Sequence, residues 1–268
     1  MDHQTAEPQA TVPSPRGVLV ITGTGTGVGK TVVTAAIAAL AHARGDRVAI
    51  VKPAQTGVHP GPGSDVPDAE TIERLSGVAD THELARFPDP LSPEAAARVS
   101  GLPPLDLNYA AGYIAKLADS RDLVLVEGAG GLLVRYDAAG STLADLAAML
   151  GAPVLVVTAA GLGTLNQTAL TLEAIAARRL RLAGLVIGSW PREPDLAARE
   201  NLADLEAVAG GPLAGLLAEG SGSLPRETFR AAALHGLGRS LGGLGLGLGE
   251  LGLGLGLGQL GLGLGGPR

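Results

Sequence analysis

The chain has no cysteine, so disulfides, iron-sulfur clusters, thiolate-held zinc and cysteine nucleophiles are all excluded. Aromatic residues are almost missing, at two Phe, three Tyr and one Trp in 268 residues, so the core has to be built from aliphatic side chains and alanine. Basic residues are in deficit: 20 Lys and Arg face 26 Asp and Glu, giving a net charge of -6. A broad nucleic-acid or anionic-membrane surface needs clustered Lys and Arg, and neither partner is expected. Lysine is scarcest, with Lys30, Lys52 and Lys116 alone. The longest uncharged stretch, 146–172, is broken by Gly151, Pro153, Gly161, Gly163, Asn166 and Gln167, so no membrane span is expected. The amino terminus lacks a basic region followed by an apolar one, so the reading is a cytoplasmic protein.

What remains is aliphatic and periodic. Apolar runs of strand length near 18–22, 47–51, 122–126, 153–158, 183–188 and 213–217 alternate with helical patterns at 30–44, 68–76, 93–100, 106–119, 142–150, 164–179 and 195–209. Strands apolar on both faces and joined through helices specify an α/β fold: a doubly wound, mostly parallel sheet with helices on both faces. Ligands of such sheets gather at the carboxyl ends of the strands. Residues 1–16 carry Pro8, Pro13 and Pro15 and read as a disordered leader, leaving 17–240 as the domain. Residues 241–268 form a tail whose first 26 residues hold 13 Gly and 11 Leu; such a run cannot hold a helix and has nothing to fix a strand register. Its deletion is expected to leave stability unchanged.

The strongest chemical signal is VLVITGTGTGVGKT at 18–31, where an apolar strand enters a glycine-rich loop that opens a helix. Glycines let backbone N–H groups converge on phosphate oxygens, and the helix start adds its dipole. Lys30 can reach the β and γ phosphates, and Thr31 can ligate Mg²⁺. Gly27, Val28 and Gly29 supply the cradle. The loop is one residue longer than the strict pattern, with Gly23 six residues before a Gly29 that closes it. A dinucleotide fingerprint fails in both registers, because its third glycine falls on Val28 or Lys30.

Two further strand ends carry charge. VAIVKPAQTG at 48–57 places Lys52 and Thr56 beyond the second strand, with a solvated strand-end cation as the plain alternative. DLVLVEGAGG at 122–131 ends a strand in Glu127, a hard oxygen ligand of the kind a Mg·nucleotide site needs, or else a surface acid before a turn. Asp68 opens a helix and reads equally as a metal ligand or as an acid favoured by the helix dipole. The histidines show no metal spacing, and Trp190 reads as packing or base stacking alike.

Taken together, GTGTGVGKT, VKPAQTG, LVEGAGG and GTLNQTALT resemble dethiobiotin synthetase, a family with the P-loop NTPase fold, in order and spacing over roughly residues 17–235. The resemblance implies ATP as co-substrate, Mg²⁺, and ureido ring closure on 7,8-diaminononanoate and CO₂ through a carbamate and its phosphoric anhydride, in biotin biosynthesis. It implies catalytic roles for Lys30, Lys52 and Thr26, and metal roles for Thr31, Asp68 and Glu127. It adds Gly128 and Gly130 to the nucleotide site, and Thr56, Gly131 and Asn166 to the diamine site, Asn166 coming from the second subunit of a homodimer. Gly25 and Gly27 stand where some members carry acids, and Gln167 stands where a His is usual. The rival is a dimeric switch ATPase of the chromosome-partitioning kind, whose diagnostic second lysine would fall at Gly25.

Overall fold

A computed structural model describes residues 15–59, 61 and 64–245. The leader residues 1–14 and tail residues 246–268 lie outside that range. In chain order the elements are β1 (Gly17–Gly23), α1 (Lys30–Ala43), β2 (Val48–Lys52), β3 (Gln55–Thr56), α2 (Asp68–Ser76), β4 (Thr81–Glu83), β5 (Arg86–Phe87), α3 (Pro93–Ser100) and α4 (Leu107–Ala118). They continue with β6 (Leu123–Gly131), α5 (Leu143–Leu150), β7 (Val154–Thr158), α6 (Thr164–Ala177), β8 (Leu182–Trp190), α7 (Leu196–Ala209), β9 (Gly215–Ala218) and α8 (Arg226–Gly236). Short 3₁₀ turns follow β9 at Ser221–Ser223 and α8 at Arg239–Leu241.

Seven strands form one sheet in the order β4-β2-β6-β1-β7-β8-β9, and every pairing in it is parallel. Strand side chains alternate between faces, and the two faces have separate cores. Leu19, Ile21, Ile50, Leu125 and Val157 point toward α1, α2 and α8, while Val20, Val51, Val126, Val156 and Ile187 point toward α3 to α7. α1 is covered along most of its length: Val33 to Ala41 are all buried, and the alanines let neighbouring elements approach closely. Side-chain caps fix three starts: Asp106 accepts from Asn108 and Tyr109, Asp195 from Ala198, and Thr142 forms a capping box with Asp145.

Several features depart from the sequence reading, the first being the short strands β3, β4 and β5, which fall in segments given no strand. The strand near 122–126 runs on to Gly131, carrying its glycines alongside β1. α8 falls in a segment given no element; it buries Phe229 and Ala233, with Leu234 half-buried beside them in the α1-side core. The Leu/Gly run is not wholly outside the fold, since Leu241 is 2% exposed and packs in the α1-side core. Behind it, Leu244 N–H donates to Leu234 O at 2.8 Å.

Leu241 therefore alters the expectation for tail deletion. Burying one leucine is worth about 1.5–3 kcal/mol. A chain ending after Ser240 should melt about 3–10 °C below one ending after Gly245 in a thermal scan. Equal midpoints would mean that Leu241 adds nothing.

Candidate functional site

β1 is central in the sheet, paired with β6 on one side and β7 on the other; the chain leaves it for β2 on the β6 side and later crosses from β6 to β7 on the far side, which opens a crevice beyond its carboxyl end. The loop from Thr24 to Gly29 fills that crevice. No acceptor among the described residues takes the N–H groups of Gly25 to Gly29, whereas Thr24 N–H is bound by Val157 O at 2.9 Å. Consecutive free N–H groups at the start of a fourteen-residue helix form an anion cradle. Lys30 Nζ folds over the loop to Gly25 O at 2.9 Å.

The loop rests on β8. Gly29 has φ +96°, and a Cβ there would lie 2.7 Å from Gly188 O; a Cβ on Gly188 would lie 2.1 Å from Val28 O. Gly188 lies near the end of β8, and nothing local in the sequence marks its contact with the loop. The glycines after Glu127 border the loop from the other side: a Cβ at Gly130 would stand 3.7 Å from Thr26 Oγ1, and one at Gly131 3.5 Å from Gly23 O. Tyr136, also missed, is buried and accepts from Ala129 N–H at 3.1 Å, which fixes that glycine segment from beneath.

Behind the loop four charged groups meet. Lys52 Nζ lies 2.5 Å from Asp68 Oδ2, 3.0 Å from Glu127 Oε1 and 3.3 Å from Gly128 O. Lys52 is 4% exposed and Glu127 0%, so neither the solvated cation nor the surface acid describes them. Burial alone would push the Lys52 ammonium down, but Glu127 and Asp68 outweigh it and hold it above the usual lysine range. For Asp68, burial pulls upward, while Lys52, Thr31 and Lys30 bring the carboxyl below its ordinary value. Lys30 is lowered by burial and by the neighbouring Lys52, against Glu127 and Asp68. Asp68 thus both opens α2 and turns into the cluster, where Gln55 Oε1 receives its N–H at 3.1 Å.

Thr31 Oγ1 lies 2.9 Å from Asp68 Oδ1 and 2.9 Å from Glu127 Oε1. A hydroxyl has one proton and can satisfy only one of these acceptors. Glu127 Oε2 is buried and has no hydrogen-bond partner among the described residues. Thr31 Oγ1, Asp68 Oδ1 and the unpartnered Glu127 Oε2 are hard oxygens of the kind a small divalent cation takes.

Thr56 lies on β3, just beyond Lys52, and pairs in register with Phe87 of β5. Asn166 is exposed on α6 and makes no hydrogen bond to the cluster. A separate cavity of about 510 Å³ opens at the opposite end of β1, lined by Arg16, Leu19, Pro153, Arg181 and Leu241. Its lining holds no acid and no histidine, and its one hydroxyl, Ser240, has no base beside it, so chemistry is assigned to the carboxyl-end crevice.

An AAA domain family model matches residues 17–221. The ATP-dependent dethiobiotin synthetase BioD of Frankia casuarinae is 66% identical over 225 residues, covering 84% of this chain and 93% of that protein. The corresponding protein of Parafrankia sp. is 61% identical, covering 84% and 94%. Among solved structures, the septum site-determining protein MinD complexed with Mg-ADP from Pyrococcus horikoshii OT3 superposes with a TM-score of 0.52 at 18% identity, over 84% of this chain and 94% of that one, a likeness of fold alone. With curated relatives matched at this identity along nearly their whole length, and with the P-loop and its charged cluster in place, the chain belongs to the ATP-dependent dethiobiotin synthetase family.

Proposed function

We propose that the chain closes a ureido ring on 7,8-diaminononanoate with CO₂ and ATP. One amine adds to CO₂ and gives a carbamate. A carbamate oxygen then attacks the γ-phosphorus while ADP leaves, and the second amine attacks the carbonyl carbon of the mixed anhydride and expels phosphate. The observation that carries the reading is the convergence of the free N–H groups of the loop with Lys30 and the buried Lys52, all at one strand-end crevice. Phosphoryl transfer from ATP to an anionic acceptor accumulates negative charge, and preset cations in a water-poor site stabilise that transition state most.

Role by role, Gly27, Val28 and Gly29 would hold phosphate oxygens through their N–H groups. Lys30 would leave Gly25 O for the β and γ phosphates, and Thr26 would donate to the carbamate or the transferring phosphoryl group. Lys52 would bridge carbamate and γ-phosphate, and the Gly128 to Gly131 segment with Thr56 would face the diamine. Thr31, Asp68 and Glu127 would hold Mg²⁺, whose chemistry is to neutralise phosphate charge.

A homodimer completes this reading. Leu162, Asn166 and Leu170 recur every four residues along α6 and its preceding loop, and all three are exposed, Leu162 at 95%. A stripe with apolar residues on either side of a polar one suits a partner surface, through which Asn166 would reach the diamine of the other subunit. Among the described residues no helix is long and apolar enough to cross a membrane.

The test is phosphate release measured with each component omitted in turn. Turnover should require diaminononanoate, bicarbonate and nucleotide together; turnover indifferent to the diamine would favour a switch ATPase. Thr31→Ala removes one oxygen of the cation site and should raise the Mg²⁺ concentration for half-maximal rate by about tenfold. An unchanged Mg²⁺ titration would overturn the role given to Thr31.

A further inference from the structure

We propose that Thr158, which touches no reactant, is a positioning residue that ties the start of α6 to the P-loop and so sets the diamine site. This rests on the reading above that the first turn of α6 faces the diamine of the other subunit, so that the tether aligns one subunit's P-loop with the helix it lends to its partner.

Four threonine hydroxyls converge where β7 ends. Thr158 Oγ1 lies 2.7 Å from Thr164 Oγ1 and 2.8 Å from Thr168 Oγ1, both on α6, and 3.4 Å from Thr24 Oγ1 at the start of the P-loop. Thr158, Thr164 and Thr168 are 0%, 2% and 0% exposed, so their protons have to be shared internally. Thr164 Oγ1 donates to Ala159 O at 2.8 Å, which uses its only proton. Thr158 must then donate to Thr164, and Thr168 must donate to Thr158. The second lone pair of Thr158 is left to face Thr24. One hydroxyl thereby fixes both ends of a directional chain that runs from the P-loop to the first two turns of α6.

The loop between β7 and α6 is held to match. Asn201 of α7, 7% exposed, donates from Nδ2 to Ala160 O at 2.8 Å and to Gly161 O at 3.0 Å. With Thr164 on Ala159 O, three successive carbonyls of a loop without regular structure are bound by side chains. The helix that follows starts from Gly163 at φ +91° with no side-chain cap of its own. Its direction is therefore set by these tertiary bonds and not by a local cap. Asn166 lies two residues past Thr164 and two before Thr168, so the chain brackets it. Such a bond network has two functions available: it supports the fold, or it holds α6 in register with the site where the phosphoryl group is transferred.

Thr158→Val keeps the shape and deletes the hydroxyl, while Thr158→Ser keeps the hydroxyl and deletes the methyl. The Val variant should raise the diamine KM at least tenfold, with calorimetric nucleotide affinity changed less than twofold, and it should lose hydrogen-exchange protection at residues 164–168. The Ser variant should return KM to within about threefold of the parent. A Val variant that is merely less heat-stable, with parental KM, overturns the proposal, as does a Ser variant no better than Val. Asn166→Ala, measured alongside, separates the two ideas. If Asn166→Ala raises KM and Thr158→Val does not, the tether fails and the Asn166 role stands. If Thr158→Val raises KM and Asn166→Ala does not, the tether stands and the Asn166 role fails. If neither moves KM, both fail.

Discussion

Lys52→Gln is expected to cost about 3–5 kcal/mol of folding stability and to remove turnover, two effects with one cause. Glu127 is fully buried beside Lys52, and deleting the ammonium leaves that carboxylate without its counter-charge in a low-dielectric interior. Urea unfolding without nucleotide or Mg²⁺ should show the loss, and adding Glu127→Gln should return most of it, because the orphaned charge is then gone. Lys52→Arg separates charge from shape. It preserves the positive sign, yet a planar fork is bulkier than an ammonium at a position 4% exposed. Overpacking of about 1–3 kcal/mol is expected, with phosphate release down more than tenfold, about 1.4 kcal/mol of transition-state stabilisation. Parental stability in Lys52→Gln would mean that the ion cluster contributes nothing to folding. Parental turnover in Lys52→Arg would remove Lys52 from the chemistry.

That experiment bears on how far a sequence can be read. Lys52 and Glu127 are legible as strand-end charges because apolar strands in a parallel sheet deliver their next residues to one edge. Whether those charges are buried is not legible, since it depends on meetings 75 residues apart in the chain. Asp68 shows the same limit. Its position at a helix start fits two readings, and only the packing of α2 against the β2 end turns its carboxylate onto Thr31 and Lys52.

The alternation of strand and helix is written in short-range periodicity, and the sheet follows it closely. α8 carries the same periodicity, with Phe229, Ala233 and the half-buried Leu234 turned to the core, but its segment is polar on balance and is given no element. The threonine chain is hidden for another reason. Thr24, Thr158, Thr164 and Thr168 are ordinary residues individually, and their hydroxyls gain meaning only when β1 and β7 are known to be neighbours. Contiguous chemistry, such as the P-loop, is read directly; chemistry assembled across the sheet has to be seen.

Glycines give the sharpest contrast between motif and contact. Gly25 is inside the P-loop motif, yet a Cβ there would meet nothing within 4 Å and its backbone is not left-handed. Gly188 is outside every motif, 159 positions beyond Gly29, yet its Cβ would lie 2.1 Å from Val28 O and 2.6 Å from Val157 Cγ1. Val28 cannot retreat freely, because the loop runs directly into α1, whose residues from Val33 onward are buried between sheet and helices. The strain must therefore move the cradle. Displacing several N–H groups from the phosphate positions by even part of an ångström weakens every one of those bonds at once. Gly188→Ala is accordingly expected to reduce nucleotide affinity by about a hundredfold, about 2.7 kcal/mol, and stability by about 1–3 kcal/mol. Gly25→Ala should bind nucleotide within about threefold of the parent. Calorimetric titration of both variants with Mg·ATP decides the matter: if Gly25→Ala loses affinity and Gly188→Ala does not, the cradle is defined by its motif and not by its seat on β8.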